Sequence, residues 1–311
     1  MVYLKKLFFF LKIGSRRHLI FATDAQLSVL SGAKNWYVDG TFKLCKAPFT
    51  QLLTVNAFVR REDHAKQVPL VFALMSGKKK KDYRAVIREI ISHLGQPSIK
   101  KVTVDFERAI WSAFQKVLPE VRIMGCAFHW SQALWRKVQE LGLQQAYRND
   151  RGTHDLVRKL LALPFLPADE IPNAFHRLET KATTEPLQAL AQYINNTWIS
   201  STTWHPSCWS VFQQSVRTNN DTEGWHHGLN RRAQGKSQLP FYLLVELLFH
   251  EAKLTSLQIR LVSDKKLKRI QRKEYRNVQA RLFEAWDKYQ DGDISVERLL
   301  KTASHLVASQ I

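Results

Sequence analysis

Acidic side chains, cysteines and long apolar runs are all in short supply in this chain, and each shortage narrows what it can be. Its 311 residues carry 27 Asp plus Glu against 47 Lys plus Arg, a formal net charge of +20. So large an excess in a folded protein implies a polyanionic partner, either nucleic acid or an anionic membrane surface. The membrane option needs a basic amphipathic helix or a polybasic stretch beside an anchor, and neither stands out. Three cysteines, Cys45, Cys126 and Cys208, cannot build a disulfide framework and suit a reducing compartment. The strongest apolar run, residues 1–13 (MVYLKKLFFFLKI), opens like a signal peptide but is broken by Lys12. It falls far short of the ~20 apolar residues that span a bilayer. There is no internal repeat and no low-complexity tract beyond Lys78 to Lys81. What is present is core-forming material: 45% hydrophobic residues, with 9 Trp and 17 Phe.

The apolar patterning has a definite order. Residues 36–44, 51–59 and 68–75 are β-rich runs with short polar spacers, which predicts an antiparallel meander. Residues 81–94 place Tyr83, Val86, Ile87, Ile90, Ile91 and Leu94 at helical spacing, and Gly95 with Pro97 ends the helix. A strand at 101–106, a helix at 107–117, a strand at 121–126 and a helix at 127–141 follow. Three antiparallel strands and then alternating helices and strands predict a mixed α/β sheet covered by helices. From about 152 to 211 the chain is helical and broken by prolines. Beyond that lie a helix from about Asn220 and two basic helical stretches at 241–266 and 268–289. The expected organisation is a leader or remnant segment at 1–35, the first part of the core at 36–141, a helical insertion at 142–215, and a final helix with a basic helical C-terminal region at 216–311.

Two aspartates sit where aspartate is unusual. Asp39 lies inside the first strand of the meander (WYVDGTFK), and Asp105 ends the fourth strand (KVTVDFER). Carboxylates are depleted in strands and costly to bury unless paired or bound to a metal. If those strands are neighbours, both side chains reach the same end of the sheet and can share a hard divalent cation through oxygen ligands. Taken singly, each reads as well as a turn or strand-end cap. Two-metal phosphoryl transfer wants a third carboxylate. Glu223, in RTNNDTEGWHHGLN, is the candidate, with Asp221 chemically equivalent. On composition alone Glu223 reads more readily as an exposed first-turn carboxylate favoured by the helix dipole.

Five segments in order carry a family resemblance: VDGTFK at Val38, VTVDFERA at Val102, GCAFHWSQALWRK at Gly125, LPFLP at Leu163 and RTNNDTEGWH at Arg217. Together they resemble the Mutator-like (MULE) transposases, specifically those related to FLYWCH-finger-bearing elements. The resemblance implies an RNase H-like fold with a helical insertion before the last acidic residue. It also implies a catalytic, metal-binding triad of Asp39, Asp105 and Glu223 using magnesium or manganese. The partners it implies are DNA, as transposon terminal repeats and target, and further copies of the chain assembled on that DNA; no membrane is involved. Nuclear residence follows from the substrate.

The family's Cys-x-x-His signature is matched by Cys126 and His129. Two ligands fall short of a closed zinc site, so a structural pair beneath the active site is the preferred reading, with a DNA contact by His129 as the alternative. By the same resemblance Arg217 orients a phosphate, while Asn219 and Asn220 shape the start of the helix. Trp225, His226 and His227 stack on an unpaired base near the cut, or else Trp225 belongs to the core. No Cys/His-rich finger precedes Trp36, unlike the fuller family pattern. Two competing functions remain: a domesticated, non-catalytic DNA-binding protein, and a metal-dependent nuclease, which would share the carboxylates without needing the insertion.

Overall fold

The computed structural model describes residues 6–13, 16–214, 220–267 and 273–307. It divides into two compact units, Met1–Met124 with Asn219–Arg269, and Gly125–Thr218 with Ile270–Ile311.

The first unit is built on a sheet of seven strands among the described residues: β1 (Lys6–Ile13), β2 (Arg16–Thr23), β3 (Asn35–Thr41), β4 (Gln51–Arg61), β5 (His64–Met75), β6 (Lys101–Val104) and β7 (Arg122–Gly125). Their spatial order is β1-β2-β5-β4-β3-β6-β7. β3, β4 and β5 form the expected antiparallel meander, and β6 joins β3 in parallel. The sheet is wider than the sequence suggests. β2 pairs with β5 and β1 with β2, so the segment expected as a leader at 1–35 supplies two strands, with helix α1 (Asp24–Gly32) between β2 and β3. Thr23 and Gln26 cap that helix reciprocally, the side chain of each accepting the other's backbone N–H. Residues 51–57 and 68–75 are buried throughout, as in a sheet covered on both faces.

One irregularity resets the alternation. Val55 pairs with Val71 but Asn56 pairs with Pro69, so Leu70 is an extra residue on β5, a bulge at the proline that cannot donate to the ladder. Because of it, Gln67, opposite Phe58, lies on the same face as Phe72, opposite Thr54. That is the face of Asp39, the partner of Thr54 on the other side.

Helix α2 (Lys80–Leu94) follows the pattern read from its apolar positions and stops at Gly95, whose φ of 68° an L side chain rarely adopts. Helix α3 (Arg108–Val117) buries Ile110, Trp111 and Phe114. The chain then enters the second unit with α4 (Ala127–Glu140), α5 (Gln144–Asn149), α6 (Arg151–Leu161), α7 (Ile171–Glu179) and α8 (Glu185–Ile194). It returns to the first unit as α9 (Asn220–Arg232) and α10 (Phe241–Ser263), and ends in the second as α11 (Lys273–Gln290) and α12 (Val296–Val307). Residues 216–311, expected as one stretch, therefore belong to both units.

The second unit is helical, as expected of an insertion, and is centred on tryptophans. Trp130 stacks on Trp209 at 4.5 Å between ring centroids and meets Trp198 edge-on at 4.8 Å. Trp286 of α11 donates its indole N–H to the Phe165 carbonyl at 2.8 Å, within the LPFLP run. Arg158 of α6 donates to the Ser304 carbonyl at 2.9 Å and so holds α12.

Asp82 is fully buried near the start of α2. It pairs with Arg16, lies 3.5 Å from His18, and accepts the Lys79 N–H at 2.8 Å. Burial holds the His18 imidazole below its ordinary value, against the opposite pull of Asp82. A group with a depressed folded value favours the neutral form, so its contribution is complete above the unfolded value of about 6.5 and fades as pH falls below it. Unfolding in urea at a series of pH values should show stability declining below that point, and His18→Phe should flatten the decline. Asp82→Ala should destabilise the protein by about 1–3 kcal/mol because it leaves the Lys79 N–H and the partly exposed Arg16 guanidinium without their acceptor; a loss below about 0.5 kcal/mol would contradict that account.

Candidate metal centre

The parallel pairing of β3 with β6 aligns Asn35 with Lys101, Trp36 with Val102 and Tyr37 with Thr103. That constant offset of 66 (101 − 35), carried two residues further, sets Asp39 beside Asp105, where adjacent strands are about 4.8 Å apart. Carboxylate oxygens of the two lie within 4.8 Å of one another. Asp39 is 5% exposed and Asp105 partly buried. Oxygen donors at this spacing suit a shared hard cation that each would bind at about 2.1–2.4 Å after a small adjustment.

The surroundings of the pair fix it in place. Asp39 Oδ1 accepts the Gly40 N–H at 2.8 Å, and Oδ2 lies 3.3 Å from His226 Nδ1. The two contacts orient the carboxylate, as groups behind a metal ligand do. Beyond Asp105 the chain turns at once into α3. The Trp111 indole donates to the Asp105 carbonyl at 2.6 Å and the Glu107 N–H to the same carbonyl at 2.9 Å. Glu107 in turn accepts the Tyr83 hydroxyl at 3.1 Å, and Gln51 donates to that hydroxyl at 3.0 Å. Burial pushes the Tyr83 phenol far above its ordinary value, so it stays a donor. Lys78 lies 3.6 Å from Glu107 and 4.4 Å from the ring of Phe42, which is 51% exposed just past β3.

Helix α9 carries residue 223 on its first turn and contacts both β3 and β5. His226 reaches Asp39 from it, so this helix lies over the face that bears the two aspartates. The helix is seated by a core of Leu229, Ala233, Leu239, Leu244 and Leu248 against Leu44, Phe49, Leu52, Phe72 and Leu74. Backbone bonds from Gln238 to Lys43 and from Leu239 to Leu44 tie the α9–α10 turn to the loop after β3. Arg217 and Asn219 fall outside the described residues, as do the side chains of Asn220 and Glu223.

Trp225 serves the fold. Its ring packs 5.7 Å from Phe72 and its N–H donates to the buried Glu251 at 2.7 Å. Cys126 is a buried thiol outside any disulfide, at the N-cap of α4, and His129 lies on that helix in the second unit. Burial raises the Cys45 thiol to about 12, which removes it as a nucleophile. The proximity of His226 to Asp39 was missed in the sequence, although a histidine three residues after Glu223 shares its helix face.

A mixed α/β sheet with two carboxylates side by side at the ends of adjacent parallel strands, followed by a helical insertion and a returning helix, is an RNase H-like architecture. The family model described as the MULE transposase domain matches residues 35–133, which supports a Mutator-like transposase. The matched segment contains Asp39, Asp105, Cys126 and His129, and ends before Glu223. It gives the chain a transposase-related DNA function. No curated protein matches the chain. Among the described residues no helix is long and apolar enough to cross a membrane.

Two carboxylates facing each other across strands repel, so Asp105→Asn should stabilise the metal-free protein by up to about 1 kcal/mol. Manganese should raise the melting temperature of the parent, because a ligand of the native state stabilises it, and leave Asp105→Asn unmoved. An equal manganese shift in both proteins would place the cation elsewhere.

Proposed function

We propose that this chain is the catalytic core of a Mutator-like DNA transposase that cleaves and joins DNA by metal-dependent phosphoryl transfer. The observation that carries the proposal is the side-by-side placement of Asp39 and Asp105 at the ends of two parallel strands inside a MULE transposase domain. Glu223 joins them as the third carboxylate by family resemblance, on a helix that lies over the same strands. Two bound magnesium or manganese ions would lower the pKa of the attacking water and stabilise the leaving oxygen.

The protein's own groups hold this arrangement in readiness. Gly40 and His226 fix the orientation of the Asp39 carboxylate, and the Tyr83–Glu107 contact fixes the turn that follows Asp105. The reaction is in-line attack on a phosphodiester, first by water at the transposon end and then by the freed 3′-hydroxyl on target DNA. No covalent protein–DNA intermediate is required. The net charge of +20 draws the DNA in, and the substrate places the work in the nucleus, with paired ends calling for more than one copy of the chain.

The test is a duplex carrying a matched terminal repeat, incubated with magnesium. Parent protein should cut it and join the 3′ end to a second duplex; Asp39→Asn, Asp105→Asn and Glu223→Gln should fall to background while still binding. Binding should weaken steeply and log-linearly with salt. Cutting without joining would favour the simple nuclease. Binding without any metal-dependent product from the parent would favour the domesticated, non-catalytic protein, and full activity in Asp39→Asn would remove the assignment.

A further inference from the structure

A second feature on the same sheet face has no part in the metal centre. Between the start of β5 and helices α9 and α10 lies a cleft of about 290 Å³, walled by Lys66, Gln67, Pro69, Trp225, Arg231 and Leu254. It lies within the first unit. Gln67 is 7% exposed, and both its amide oxygen and its amide nitrogen are buried without a hydrogen-bond partner. A buried amide with neither end satisfied is rare in a native protein and calls for an explanation, such as a ligand that completes it.

Three further observations point the same way. The cleft is cationic. Arg232 is held by the buried Glu251 at 2.5 Å, which cancels that pair and leaves Lys66 and Arg231 with free charge at its walls. It is also left open by glycine. Gly224 and Gly228 line it at i, i+4 on α9; a Cβ at Gly228 would meet the Arg232 guanidinium at 3.2 Å, but one at Gly224 would meet nothing within 4 Å, so packing does not demand glycine at position 224, where it is unfavourable in a helix. Finally, the bulge at Leu70 is what turns Gln67 onto the face of Asp39. Gln67 pairs with Phe58, four residues along β4 from Thr54, the partner of Asp39. That puts it about 13 Å along the strands and about 10 Å across them from Asp39. The separation corresponds to roughly four or five steps of a stacked DNA strand at about 3.4 Å per step.

We propose that this cleft holds one unstacked nucleotide of the bound DNA strand, its phosphate between Lys66 and Arg231 and its base edge on the Gln67 amide. The amide offers one donor and one acceptor, and every base edge presents a complementary pair. Pro69 and Leu254 supply apolar walls for the base. The site gives grip at a fixed distance from the cut rather than a strong choice of base. It rests on the DNA-processing reading above.

The experiment uses the full chain and three fluorescence-detected probes: a dA hexamer, a hexamer of the same backbone without bases, and dAMP. A long duplex is measured in parallel. Parent protein should bind the dA hexamer about tenfold more tightly than the abasic one. Gln67→Leu should abolish that difference, and Gly224→Leu, which fills open space with a better helix former, should do the same in a protein that melts no lower than the parent. Arg231→Ala, at an exposed side chain, should weaken both hexamers alike. If parent and Gln67→Leu discriminate the hexamers equally, or the parent does not discriminate at all, the nucleotide cleft is overturned while duplex binding still stands. Binding of dAMP as tight as that of the dA hexamer would make a free nucleotide the ligand and overturn the strand assignment. Failure to bind the duplex as well would overturn the DNA reading itself.

Discussion

The parallel pairing of β3 with β6 is the constraint on which the rest of the first unit depends. Its offset of 66 residues forces Asp39 and Asp105 into adjacent positions, and nothing in the sheet itself favours that outcome. Like charges facing each other at low exposure are destabilising, and a carboxylate removed from water must be compensated. The hydrogen bond from Gly40 and the contact with His226 contribute to that compensation at Asp39. A protein that keeps such a pair side by side tolerates local instability for a function performed there, the usual relation between strain and sites.

Elements distant in the chain hold that pair in place. The segment from Gly125 to Thr218 folds into the second unit before the chain comes back as α9, so the contact between His226 and Asp39 closes across 187 residues (226 − 39). The entropic cost of closing a loop rises only slowly with its length, and a long insertion is therefore tolerable if the returning helix docks firmly. The docking is apolar: Leu229, Ala233 and the leucines of α10 cover β4, β5 and the loop after β3. Burial of several leucines, at about 1.5–3 kcal/mol each, outweighs the polar strain at the carboxylates.

Much of this was legible in the sequence, for physical reasons that can be named. The meander showed as β-rich runs between polar spacers, and α2 as six apolar positions at helical spacing. Asp39 and Asp105 stood out because carboxylates do not belong in apolar strands. Other features left no local trace. β2 looks like part of a leader because it joins the sheet by pairing with β5, a partner some 50 residues away, and β1 is held only through β2. The face of Gln67 cannot be read from alternation, since the bulge at Leu70 changes the parity and the only hint is Pro69 inside a strand. α11 and α12 join the second unit through Trp286 and Arg158, contacts whose partners lie 121 and 146 residues away along the chain.

Trp225 shows how one residue of a motif is bound into the fold around the site. An aromatic beside two histidines, in a basic protein, invites a base-stacking role. Its indole N–H is bound to Glu251, and Glu251 to Arg232. This three-residue contact around the buried Glu251 fixes the rotation of α9 about its axis, because Trp225 and Arg232 are seven residues, or two turns, apart on one side of the helix. With that side anchored, His226 is turned toward Asp39, while Gly224, Gly228 and Arg231 face the cleft beside Gln67. One rotational setting thus serves two places on the sheet, and the tryptophan acts on both by fixing that setting.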